Sequence, residues 1–218
     1  MTSILSKRQR ILLAHLGAEP LLRKYFYFGG GTVLAEYYLH HRYSEDLDFF
    51  SEEEFDPQAI SAILQKLKKK AGIRAIHFQQ SFNRNLFFCE TEDETIKTEF
   101  TYFPFPRIDP SGTRDGMPID SLEDIAVNKL FTIFQKPRAR DFIDLYCILH
   151  EKPWTIAELI SKARIKFDTV IDPIQLGAQF VRADELKDYP RLLIPLEPAD
   201  WQVFFREEAR KIAEETLE

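Results

Sequence analysis

A chain of 218 residues, 44% hydrophobic and 29% charged, can bury a sizeable core and stay dissolved, and 19 phenylalanines exclude it from the disordered class, which is poor in aromatics. The formal net charge of −6 argues against a general nucleic-acid coat, which calls for a basic excess, and no apolar run approaches the roughly 20 residues that cross a bilayer. The two cysteines, Cys89 and Cys147, lie far apart and at no metal-ligand spacing, so no disulfide framework is expected and a reducing, cytoplasmic setting is.

At the N-terminus, Lys7, Arg8 and Arg10 precede only a short apolar patch, Ile11 to Leu13. Residues 3–17 therefore read as an amphipathic helix rather than a targeting segment. Residues 24–28 form an aromatic run that ends in Gly29-Gly30-Gly31, the pattern of a strand entering a turn. A helix over 32–41 is expected next, with Thr32 as its N-cap. A strand over 46–50 follows, then a helix over 57–71 with Pro57 in its first turn. Residues 73–80, 85–90 and 95–103 predict three more strands, and 104–118 a loop rich in proline and glycine. From Ser121 onward the pattern is helical. Ser121 with Asp124, and Thr155 with Glu158, have the spacing of capping boxes, and helices are expected over 139–151, 155–167, 172–183 and 198–217. The change from mixed to helical predicts an α+β chain. Its small mixed-sheet core would span 1–110, and a helical C-terminal region, 111–218, would complete the cleft.

The segment richest in chemistry runs from Gly29-Gly30-Gly31-Thr32 to Arg42-Tyr43-Ser44-Glu45-Asp46-Leu47-Asp48-Phe49-Phe50. Side chains alternate along a strand, so Asp46 and Asp48 share one face while Leu47 and Phe49 face the core. If the strand begins early, Arg42 and Ser44 share the aspartates' parity. Two adjacent carboxylates repel unless a cation sits between them. Mg²⁺, which takes oxygen ligands and keeps phosphate and water in its shell, is the natural candidate. A glycine turn ahead of a helix lets backbone N–H groups approach a phosphate. No lysine follows at the spacing of a P-loop.

Gly-Gly-x-Thr, a helix, then Arg-x-Ser-x-Asp-x-Asp-Phe resembles the AbiEii-type nucleotidyltransferase toxins of bacteria, within the DNA polymerase β-like nucleotidyltransferase superfamily. The resemblance covers roughly residues 25–150. It implies Mg²⁺-dependent transfer of a nucleoside monophosphate from an NTP, with Gly30, Gly31, Thr32 and Ser44 around the nucleotide. Some relatives extend the 3′ end of tRNA, and the family commonly supplies the toxin of a toxin–antitoxin or phage-defence system. An RNA acceptor, the tRNA end, and an antitoxin partner are the corresponding expectations. Such folds often carry a third carboxylate on a later strand. Glu99 is the candidate, although related sequences more often have Asp there; an exposed strand glutamate is the alternative. Lys129 lies in the apolar stripe of Leu122, Ile125, Ala126 and Ile133, where a lysine must snorkel or meet an anion. The resemblance makes it the holder of the triphosphate. Arg138-Ala139-Arg140-Asp141-Phe142-Ile143-Asp144-Leu145 matches a further family motif. There Asp141 would serve as base for the acceptor hydroxyl or as orienter of Lys129, while an Arg140–Asp144 pair four residues apart is the purely structural alternative.

His40 and His41 read as cations at a helix end, and no zinc or Cys/His nucleophile pattern is present. Two basic clusters, Lys66 with Lys68 to Lys70 and Lys136 with Arg138 and Arg140, are either solvated charge or contacts for an acceptor. A catalytically silent NTP-binding module working through a protein partner, and a small-molecule nucleotidyltransferase, are the competing functions.

Overall fold

The computed structural model describes residues 3–217. They fall into two compact units, Met1–Tyr38 with Ser44–Ser121, and Leu39–Tyr43 with Leu122–Glu218. The composition shift sets a boundary at 110/111; the compact units divide at Ser121 and assign the short segment Leu39–Tyr43 to the helical part.

In the first unit, helix α1 (Lys7–Gly17) starts later than residue 3 because Ser6 and Gln9 form a capping box at its N-terminus. Pro20 then opens a short helix, α2 (Pro20–Tyr25), with proline in its first turn. Lys24 and Tyr25 belong to that helix, so the aromatic strand expected over 24–28 shrinks to β1 (Tyr27–Gly29). Helix α3 (Gly30–Val33) continues as a π-helix over Leu34–Leu39. Thr32 is not its N-cap: Gly29 holds that position, and Thr32 is fully buried. Strand β2 (Leu47–Ser51) begins one residue after Asp46. Helix α4 (Pro57–Leu67) is capped by Asp56, whose carboxylate accepts from Gln58 N–H at 2.9 Å. Strands β3 (Ala75–Ser81), β4 (Arg84–Glu90) and β5 (Thr95–Tyr102) follow. The proline- and glycine-rich loop contains a small hairpin of β6 (Thr113–Arg114) and β7 (Met117–Pro118). Its two turn residues, Asp115 and Gly116, both have positive φ, as tight hairpins require.

The main sheet has the order β1-β2-β5-β4-β3. β2 and β5 are parallel and the other pairs antiparallel, so the sheet is mixed. One face is apolar. Phe28, Leu47, Phe49, Phe87, Cys89, Ile96 and Phe100 are all buried there, and Phe49 stacks between Phe28 and Phe100 with ring centroids 5.2 and 4.9 Å apart. The opposite face carries the polar residues of β2 and β5, because neighbouring side chains along a strand alternate.

The second unit holds helices α5 (Leu122–Gln135), α6 (Ala139–Glu151), α7 (Ile156–Phe167), α8 (Pro173–Val181) and α9 (Pro198–Leu217). The helix expected over 172–183 ends at Val181 and tightens into a 3₁₀ turn, Arg182–Asp184. Thr155 and Glu158 do form a capping box at α7. Asp124, read from sequence as a capping residue, is fully buried and pairs with Lys166 of α7 at 2.6 Å. Phe142 anchors the core against Trp201 and Phe205, at 5.9 and 4.7 Å. Segment Leu39–Tyr43 is tied to this unit by Tyr43 N–H to Arg191 C=O (2.9 Å) and Leu193 N–H to His41 C=O (2.8 Å).

Candidate active site

The strand register of the first unit brings an acidic group together. Asp48 of β2 lies beside Gly29 of β1 on one side and Glu99 of β5 on the other. Asp46 stands just before β2, held by its own backbone: Thr32 Oγ1 donates to the Asp46 carbonyl at 2.5 Å, and Ser44 Oγ lies 2.8 Å from the same hydroxyl. Thr32 and Ser44 thus fix the entry to the acidic strand. Gly30, at φ +72°, occupies the left-handed region that favours glycine. A β-carbon added there would sit 3.1 Å from Asp48 Oδ2, so the glycine also lets the carboxylate pack against the turn.

Two cations stand among these carboxylates. Lys97 Nζ is 2.5 Å from Asp46 Oδ2 and 4.0 Å from Glu99 Oε2. Arg84 of β4 grips Glu99 in bidentate fashion, Nε to Oε1 and Nη2 to Oε2, both at 2.5 Å. Thr101 Oγ1 donates to Glu99 at 2.9 Å. Glu99 is therefore a buried, fully engaged carboxylate, and the alternative of an exposed strand glutamate is overturned. Although burial opposes its charge, the Arg84 pair holds its carboxyl below the usual range. Burial, then the charges of Glu99 and Asp46, push the Asp48 carboxyl up to about 7.

Among the described residues, no three His, Cys, Asp or Glu side chains are grouped as a ready metal site. Asp46 faces Lys97 and Glu99 faces Arg84. The donor chemistry nevertheless suits a hard divalent cation. The oxygens are carboxylate, and a cation beside Asp48 would offset the burial and the acidic neighbours that raise its carboxyl. Asp48 could meet such an ion directly; Asp46 and Glu99 would meet it through carboxylates that Lys97 and Arg84 contact.

The second unit carries a separate ionic network. Asp144 of α6 has no exposed surface. Arg42 reaches it with Nε at 2.6 Å and Nη2 at 2.8 Å, His41 Nε2 lies 2.7 Å away, and Lys129 Nζ is 2.6 Å from it. Lys129 also donates to Asp141 at 2.7 Å, and Asp141 accepts from Arg138 Nε at 2.6 Å. These cations hold both carboxyls below the usual range, Asp144 far below it, against the opposing effect of burial. Three readings change accordingly. Arg42 is not on the acidic strand but clamps Asp144, and Asp144 takes Arg42, His41 and Lys129 as partners while Arg140 is exposed. His41 is a buried member of the network rather than a solvated helix end.

Sequence reasoning passed over Lys97, Arg84 and the central place of Asp144. Lys97 was within reach of it, because residues two apart on a strand share a face and 97, 99 and 101 alternate with core residues. Arg84 was not, since its meeting with Glu99 depends on the β4–β5 register.

Residues 11–216 match the model of a family described as nucleotidyl transferase AbiEii toxin, type IV TA system. A relative in Aquifex aeolicus (strain VF5), itself described as uncharacterized, is 32% identical over 149 residues, 66% of this chain and 68% of that protein. Among solved structures, JHP933 from Helicobacter pylori shares the fold, with a TM-score of 0.59 at 23% identity over 96% of this chain and 90% of that one.

Proposed function

The chain belongs to the nucleotidyl transferase AbiEii toxin family of type IV toxin–antitoxin systems, and from that membership we propose that Asp46 and Asp48 hold Mg²⁺ for transfer of a nucleoside monophosphate from an NTP to RNA, at the 3′ end of tRNA. The chain is a nucleotidyltransferase by family; metal, acceptor and residue roles are our reading. The observation that carries it is the pairing of Asp48 with Glu99 across β2 and β5 behind the Gly30 turn, with Asp46 just before β2, and an Asp48 carboxyl that burial and these two acidic neighbours push up to about 7. A bound divalent cation would polarise the acceptor hydroxyl and neutralise the leaving pyrophosphate. Gly30 and Gly31 bring backbone N–H groups close to the phosphates, and Thr32 and Ser44 hold the acidic strand in place for them. Glu99 joins the ligand set if Arg84 lets go, and otherwise keeps that guanidinium beside the site. Lys129 meets triphosphate charge, with Asp141 orienting its amine. On this reading the reaction is cytoplasmic, with an antitoxin as the partner that restrains it. No helix among the described residues is long and apolar enough to cross a membrane.

The test incubates the protein with labelled NTPs and Mg²⁺, offering tRNA and small hydroxylated acceptors in parallel. Asp46→Asn and Asp48→Asn are each expected to abolish labelling while circular dichroism stays native; near-normal turnover in both would sink the site assignment. Lys136 and Arg140 are exposed and supply phosphate contacts, whereas Arg138 braces Asp141. The acceptor arm therefore uses Lys136→Ala with Arg140→Ala and leaves Arg138 in place. Labelling of tRNA should weaken steeply with salt and with the double substitution. Labelling of a small acceptor alone, indifferent to salt, would overturn the RNA reading.

A further inference from the structure

Three carboxylates, Asp46, Asp48 and Glu99, face two cations, Lys97 and Arg84, and the two cations are held differently. Arg84 makes two 2.5 Å contacts with Glu99 from a rigid planar fork. Lys97 makes a single close contact, with Asp46 at 2.5 Å, and a longer one with Glu99 at 4.0 Å, from a flexible stem. Of the two, Lys97 is the cation that can leave. It also sits on Oδ2 of Asp46, one of the two oxygens by which a metal would bind that carboxylate. A Mg²⁺ ion binds a carboxylate oxygen at about 2.0–2.1 Å, so on either oxygen of Asp46 it would meet the ammonium as a like charge at close range, and on Oδ2 it would have to displace it.

We propose that Lys97 is the built-in counter-ion of the nucleotide-free site: it occupies Asp46 and suppresses binding of a divalent cation until an incoming triphosphate draws its ammonium away. The inference rests on the metal role of Asp46 proposed above. It gives the site an order of assembly, in which metal enters with the nucleotide rather than before it. Arg84, held by two contacts, is the harder to displace, and Glu99 lies 4.0 Å from Lys97.

The experiment measures Mn²⁺ binding to the full chain by electron paramagnetic resonance, with and without a non-hydrolysable NTP analogue. Wild type is expected to bind Mn²⁺ weakly alone and more tightly with the analogue. Lys97→Met, which keeps the stem and removes the charge, should bind Mn²⁺ without nucleotide about tenfold more tightly, the effect of deleting one close like charge. It should also lose most of the enhancement by the analogue. Lys97→Arg should resemble wild type. Thermal melts by circular dichroism establish that each variant is folded, and Lys97→Gln replaces the Met variant if that one is not. Asp46→Asn separates the two levels of the argument. If Asp46→Asn removes Mn²⁺ binding but Lys97→Met binds no more tightly than wild type, the counter-ion role is wrong and the metal site stands. If no form binds Mn²⁺ even with the analogue, both fall.

Discussion

Asp144 accepts from a bidentate arginine and a lysine with no exposed surface of its own, so its charge survives only because its partners do. Removing one member of such a buried network strands the others, which typically costs about 3–5 kcal/mol. Asp144→Asn is accordingly expected to lower stability by that order in urea unfolding, while a loss under about 1 kcal/mol would show that water reaches Arg42 and Lys129 freely. Lys129 ties Asp141 to Asp144 and, on our reading, also meets the nucleotide. Lys129→Ala should then weaken NTP binding in calorimetry by about tenfold or more, the usual worth of a charged hydrogen bond. Lys129→Arg should recover it only in part, since the guanidinium differs in shape and reach. An unchanged NTP affinity in the Ala variant would leave Lys129 a structural residue. Its position in an apolar helix stripe was legible in the sequence, and the family resemblance offered Asp141 as its orienter; that Asp144 shares the amine was not legible, because that contact depends on how α6 packs against α5.

The turn from β1 into α3 shows how an element serves the site. Gly30 has φ +72°, which costs a residue with a side chain about 1–2 kcal/mol, and its missing β-carbon leaves room for the Asp48 carboxylate. Gly30→Ala is expected to lose stability by about that amount and to lower transfer by displacing Asp48. A variant that melts lower yet turns over normally would separate the turn from the site. Strand β2 was readable, since Leu47 and Phe49 are buried and alternate with Asp48 and Phe50 as strand parity requires. Its start was not. The parity extended back to Arg42 fails because the chain leaves the sheet before Leu47, and Arg42 is claimed by Asp144. The aromatic run at 24–28 misled for a similar reason: Pro20 begins a helix that absorbs Lys24 and Tyr25.

Across the molecule, the depressed carboxyls of Asp141 and Asp144 make the helical unit sensitive to acid. An unfolded Asp titrates near about 3.9, and both groups titrate lower when folded. The unfolded chain therefore binds protons first as pH falls, and the stability these groups contribute is fully present above about pH 4 and lost below it. Both tryptophans, Trp154 and Trp201, lie in this unit, and Trp201 is buried. Tryptophan fluorescence is expected to report a transition below about pH 4, shifted toward higher pH in the Asp144→Asn variant; a signal that stays native through pH 3 would show that the network adds little. By itself the sequence determined what depends on neighbours along the chain: the α+β class, the alternation that aims Asp48 away from the core, the glycine turn, the capping box of α7, and the motifs of the family. Only the tertiary structure decided which charges meet. Arg84 reaches Glu99, Lys97 reaches Asp46, and Arg42 reaches Asp144 across 15, 51 and 102 residues of chain. Strand register and helix packing set those contacts, and no local spacing encodes them.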